Sequence, residues 1–264
     1  MIVAMVIYGV VGLLAGFMAG LLGIGGGIII VPGLLFGFTV LGLSEDFSLH
    51  TALGTSLASI VFISVASIKA HHERGYVRWD IFKRILLGVL LGTFVGAQLV
   101  RYMPAKLLQG ILILFLFTIA LQMLLDLQPK ATRQLPAFPG LTFVGIGIGF
   151  VSSFIGVGGG SLSLPYMNAC NIPTREAIGT SAAIGLPIAL AGALGNIVNT
   201  MGRPELPSWS IGFIYLPALC LIVVMSMPMA SLGAKIAHKL PVPTLKKIFA
   251  TMLVCIATRM IYSF

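Results

Sequence analysis

From Ile2 to Leu22 the chain carries no charged side chain, and apolar runs of similar character return along its whole length. This recurrence constrains the fold more than any other feature. A helix of about 20 apolar residues spans the hydrocarbon core of a bilayer. There each unpaired backbone group costs several kcal/mol, so only helices and closed barrels cross. The alternating apolar and polar residues of a barrel strand are absent. With 58% hydrophobic and 9% charged residues, against roughly 25% charged in soluble domains, the chain reads as an all-α polytopic membrane protein. The apolar segments fall near 2–22, 28–42, 51–70, 81–100 and 107–125, then 139–157, 161–170, 177–198, 210–236 and 246–262. The first segment has no basic residue before it, so it reads as a membrane helix and not as a signal peptide.

The segments form two sets. "GIGGG" followed by Pro32 and "GVGGG" followed by Pro165 match at an offset of 133 residues. "ALGTS" (Ala52–Ser56) and "AIGTS" (Ala177–Ser181) match at an offset of 125. Gly96, Ala97 and Pro104 fall on Gly233, Ala234 and Pro241 at 137. The order is the same in both halves, which divides the chain into a first repeat at 1–130, a linker at 131–138 and a second repeat at 139–264. The first repeat carries about eight extra residues near "LGLSEDFSL".

The net charge of +9 sits in the loops between apolar runs, so it reports membrane topology and not nucleic-acid binding. If each glycine-broken pair of segments returns the chain to the side it came from, twelve cations lie inside and four outside. If each pair counts as one crossing, the split is nine to seven. The positive-inside rule favours the first arrangement, which makes the halves inverted copies with both termini and the acidic "SEDF" outside.

A glycine triplet inside a membrane helix has two readings. Small residues let helices approach closely, which suits the spaced Gly88, Gly92 and Gly96. Three in a row, duplicated with Pro at the same distance, point instead to a break. The helix that restarts there exposes N–H donors and a partial positive charge, which attract anions. Gly25, Gly26 and Gly27 with Gly158, Gly159 and Gly160 are therefore the candidate centre of a substrate site. Neither cluster has the sequence or context of a nucleotide-binding loop. Thr55, Ser56, Thr180 and Ser181 are candidate hydroxyl donors, the alternative being back-bonding within their own helices. Ser161 and Ser163 follow the second break, and Asn196 and Asn199 lie late in their segment, where Asn196 faces either a cavity or a neighbouring helix.

No acidic or basic residue falls mid-span, so an anion here is held by helix ends and hydroxyls. His50, His71 and His72 read as solvated interfacial residues, and Cys170, Cys220 and Cys255 as small buried ones. No metal site or cofactor is expected. An intramembrane enzyme needs a nucleophile beside a base at membrane depth, and no histidine is expected there.

The paired "GIGGG…P" and "GVGGG…LP" blocks, each followed by A-x-G-T-S, resemble the two signature regions of the sulfite exporter TauE/SafE family, also called the 4-toluene sulfonate uptake permeases. The resemblance covers nearly the whole chain. It implies an inner-membrane secondary transporter of small sulfur-containing anions such as sulfite, sulfoacetate or other organosulfonates, with export as the expected direction. Proton-coupled uptake of organosulfonates or other organic anions is the alternative. The partners implied are a small anion and the lipid bilayer, with the oligomeric state left open. Ile28 stands where the second half has Ser161, so the two half-sites are not equivalent.

Overall fold

The computed structural model describes residues 2–43, 45–125, 134–200, 209–237 and 242–262. Asp126, Lys130, Arg133, Arg203, Glu205 and Lys239 lie outside the described residues, as do residues 131–133 of the expected linker. Among the described residues ten helices follow one another: α1 (Ile2–Leu22), α2 (Gly27–Leu41), α3 (Glu45–His72), α4 (Trp79–Val100), α5 (Ala105–Leu124), α6 (Phe138–Ile155), α7 (Gly160–Ala169), α8 (Thr174–Val198), α9 (Leu216–Ile236) and α10 (Val242–Tyr262). Seven of them are long and apolar enough to cross a membrane, while α2 and α7 are shorter. One detail differs from the apolar pattern. The start of the 210–236 segment is a small antiparallel hairpin, β1 (Ser210–Ile211) and β2 (Ile214–Tyr215), turning at Gly212. The acidic stretch at 45–47 opens α3 and is not a loop.

The interior is set by α3 and α8. Each has 78% of its membrane window buried, against 28–44% for the other candidate spans. They run antiparallel. Leu57 lies against Gly192 and Ser64 against Gly185, so positions rise on one helix as they fall on the other. Two outer pairs flank them. α1 runs parallel to α9, with Gly16 placed so that a Cβ would overlap the backbone of Ser226. α4 runs parallel to α6, with Gly92 against the carbonyl of Ile146. Close backbone approach at small residues is how membrane helices gain contact when lipid tails compete equally for apolar side chains.

The chain directions follow. The turn after α3 meets the start of α8 through the bond from Arg78 N–H to Thr180 Oγ1 (2.9 Å) and the Arg78–Glu176 ion pair (3.2 Å). The start of α6 lies on the same face, where Thr142 Oγ1 donates to Arg84 O (3.2 Å). So α6 enters from this face, that of the helical hairpin α3–α4 (below, the hairpin face; the β1–β2 turn lies on the other), breaks partway, and α7 returns to it before α8 begins. The starts of α1, α3 and α9 lie on the opposite, terminal face, where His50 stacks on Phe213. Gln109 Nε2 donates to Met260 O (3.4 Å), which brings the end of α10 there as well.

Two expectations need correction. His50 and His71 are buried and not solvated: their Nε2 atoms lie 3.3 Å from Val100 O and 3.1 Å from Gly20 O. The reason is that α3 continues to His72, so its last turn packs beneath the end of α1. His72 alone of the three is exposed. Among the cysteines, Cys170 is buried, but Cys220 and Cys255 face outward from their helices. On a membrane helix the outward face is lipid, which takes a small apolar side chain as readily as a core does.

Candidate functional site

The two glycine breaks meet at the centre. A Cβ on Gly25 would stand 3.2 Å from Gly158 Cα, and one on Gly158 3.6 Å from Gly25 Cα. Around this contact the others come in reciprocal pairs. A Cβ on Gly27 would strike Gly156 O, and one on Gly160 would strike Gly23 O. Side chains are thus excluded on both sides of the contact. Gly26 and Gly159 cap the restarting helices at φ 75° and 72°, in the left-handed region that an L side chain rarely adopts. Neither cap uses a side chain. The first helical bonds are Ile29 N–H to Gly26 O and Leu162 N–H to Gly159 O. The N–H groups of Gly27, Ile28, Gly160 and Ser161 therefore precede the helical ladder. Pro32 and Pro165 then remove the donors that would reach Ile28 O and Ser161 O, so backbone polarity persists past the first turn.

The Gly-Thr-Ser residues hold this junction together. Ser56 Oγ donates to Gly156 O (2.8 Å) and Ser181 Oγ to Gly23 O (3.1 Å). Tyr215 N–H donates to Thr55 Oγ1 and Arg78 N–H to Thr180 Oγ1, each at 2.9 Å. Gly54 and Gly179 let the carbonyls of Phe213 and Tyr76 approach. Every one of these contacts joins one half of the chain to the other. The four hydroxyls are fully buried and engaged across halves, and Ser181 Oγ also bonds Ile178 O (2.9 Å) within its own helix, the back-bonding weighed from the sequence. Asn196 Nδ2 bonds Gly192 O (2.8 Å) within its own helix, while Asn199 Nδ2 reaches Ala97 O (2.8 Å) on α4.

Polar groups without a partner gather at the second break. The hydroxyls of Ser161 and Ser163, in the first turn of α7, are buried and unpaired. So is Ser152 Oγ, in the last turn of α6, which lies 3.4 Å from where a Cβ on Gly159 would be. At the matching positions the first half has Ala19, Ile28 and Ile30. Ser152 was missed from the sequence, although two serines closing an apolar helix just before "FIGVGGG" were a signal. A buried hydroxyl without a partner costs roughly 1–3 kcal/mol. Three of them lie on either side of the α7 N-terminus, Ser161 and Ser163 on different faces of α7.

The protein-family description "Sulfite exporter TauE/SafE" matches residues 8–260. A "Probable membrane transporter protein" of Haemophilus influenzae is 36% identical over 251 residues, 95% of each chain. The "Probable membrane transporter protein YdhB" of Bacillus subtilis is 29% identical over 239 residues, 88% of this chain and 93% of its own. No solved structure matches the chain. With its membrane helices and two central glycine breaks, the chain belongs to the sulfite exporter TauE/SafE family and is a multi-pass membrane transporter.

Proposed function

We propose that this transporter exports small sulfur-containing anions, sulfite or organosulfonates such as sulfoacetate, across the cell inner membrane. The observation that carries this reading is the trio of unpaired buried hydroxyls, Ser152, Ser161 and Ser163, beside the α7 N-terminus. Gly25–Gly27 and Gly158–Gly160 aim two helix starts toward one central region, and the N–H groups of Gly160 and Ser161 complete the anion's shell. Thr55, Ser56, Thr180 and Ser181 brace that shell, whereas Asn196 lies about two turns beyond Ile188 on α8, beside Gly212, and so stands apart from it. Such a site neutralises charge without a salt bridge, so it binds weakly and releases readily. The two repeats act as inverted halves about the Gly25–Gly158 contact, a plan that places substrate near the midplane. The membrane potential supplies the drive: one charge across 100 mV is worth roughly 2.3 kcal/mol, and an inside-negative cell pushes anions out.

The test is anion efflux from proteoliposomes loaded with sulfite or sulfoacetate. Efflux is expected to follow an imposed potential and to vanish in Gly159→Leu, where the left-handed backbone and Ile188 leave no room. A wild type inert to both anions overturns the substrate class. Proton coupling is favoured by one observation, the buried His71 ring against Gly20 O close to the first break. Efflux that needs a pH gradient and is lost in His71→Gln would establish that reading instead.

A further inference from the structure

Where the breaks face each other, the halves differ again, at Ile60. Ile60 on α3 is fully buried. A Cβ on Gly25 would lie 3.6 Å from its Cγ2, one on Gly158 2.8 Å from the same methyl, and one on Gly27 2.9 Å from its Cδ1. One side chain thus packs on both breaks at once. Its counterpart, at the 125-residue offset of the Gly-Thr-Ser motif, is Gly185, where a Cβ would stand 2.8 Å from Gly158 O and 3.3 Å from Ser64 Oγ. Two isoleucines would overfill this point, and two glycines would leave it open.

The surroundings of Ile60 are polar along its own helix. Ser56, Ile60, Ser64 and Ser67 follow at steps of four, four and three, which places them on one face of α3. All three serines are buried, and Ser67 Oγ has no partner. Ser56 lies toward the terminal face, Ser64 and Ser67 toward the hairpin face. Ile60 and, one turn on, the fully buried Ile63 interrupt this line of hydroxyls, and it is Ile60 that packs on the glycine breaks. On α8 the matching positions are Ser181, Gly185, Ala189 and Gly192. An apolar constriction of this kind stops ions by excluding water.

We propose that Ile60 is the gate of this carrier, a single hydrophobic side chain that seals the passage where the two glycine breaks meet. The inference rests on reading the paired breaks as the transport path. The experiment uses probes that are not the proposed substrates. Iodide and nitrate entry into proteoliposomes is measured under an imposed potential. Ile60→Ala is expected to leak at least tenfold faster than wild type, while Ile60→Leu stays tight. Ile63→Ala, equally buried one turn away on α3, is also expected to stay tight. No leak in Ile60→Ala, or an equal leak in Ile63→Ala, overturns the gate. Should Ile60→Ala not reconstitute, Ile60→Val is expected to leak at an intermediate rate, and a tight Ile60→Val overturns the proposal. A leaky Ile60→Ala with a wild type inert to sulfite and sulfoacetate would sink the substrate reading and leave the gate standing.

Discussion

At the scale of single residues, two kinds of buried serine have opposite consequences. Ser56 and Ser181 satisfy break carbonyls that have no other route to a donor in this apolar interior. Replacing Ser181 by Ala orphans Gly23 O and is expected to cost about 1–3 kcal/mol, read as a lower thermal midpoint in detergent. Ser161→Ala removes a hydroxyl that has no partner, so it is expected to leave the midpoint unchanged or raised while slowing anion efflux. A Ser161→Ala protein that is destabilised but transports normally would place Ser161 in the framework and not in the site. Ser59 marks the ordinary case between these, bonded to Thr55 O in the turn before it (2.8 Å).

Among the elements, the parallel pairs depend on glycines whose missing side chains are the contact. Gly92 faces Ile146 O directly, and neither helix backbone can give way without parting the pair. Gly92→Ala is expected to destabilise by roughly 1–3 kcal/mol through overpacking. Gly147→Ala, on α6 with nothing within 4 Å, is expected to be neutral or to stabilise by up to about 1 kcal/mol. Thermal midpoints of the two variants, one from each partner of the pair, separate contact from helix propensity. The broken elements are not equal either. α2 extends to Leu41 and tucks against α1, where Gly33 meets Val11 and Gly37 meets the Tyr8 ring. α7 stops after ten residues, and most of the first repeat's extra residues extend α2 and the start of α3.

For the whole molecule, the re-entrant course of α6 and α7 carries a topological consequence. Lys69, Arg74, Lys83, Arg84 and Arg175 cluster at the hairpin face, whereas Arg101, Lys106 and Arg259 lie at the terminal face. The positive-inside rule then turns the hairpin face toward the cytoplasm. In a background without Cys170, Cys220 and Cys255, Glu73→Cys is expected to react with an impermeant thiol reagent from inside only. Leu43→Cys and Tyr102→Cys are expected to react from outside only, on the same side as a tag placed before Ile2. A tag on the side opposite Leu43 would mean that α1 and α2 cross as one span, and would overturn the re-entrant arrangement.

Hydropathy and period by themselves determined the membrane class and all ten helical segments, because a chain in lipid has no other way to satisfy its backbone. Internal matches located both breaks, and spaced glycines announced the tight helix pairs. The short hairpin at 210–215 escaped, since its two-residue strands are too short to show a period and the second runs straight into α9. What the Gly-Thr-Ser hydroxyls bond to was not legible. Their partners lie about 100 to 160 residues away, and only the antiparallel crossing of α3 and α8 brings them within reach. The packing of the end of α3 on α1 buried His71, the turn between α6 and α7 brought Ser152 beside the α7 start, and the crossing of α3 and α8 set Ile60 between the two breaks. Those placements depend on which backbones can approach one another, a property of the assembled helices that no single segment encodes.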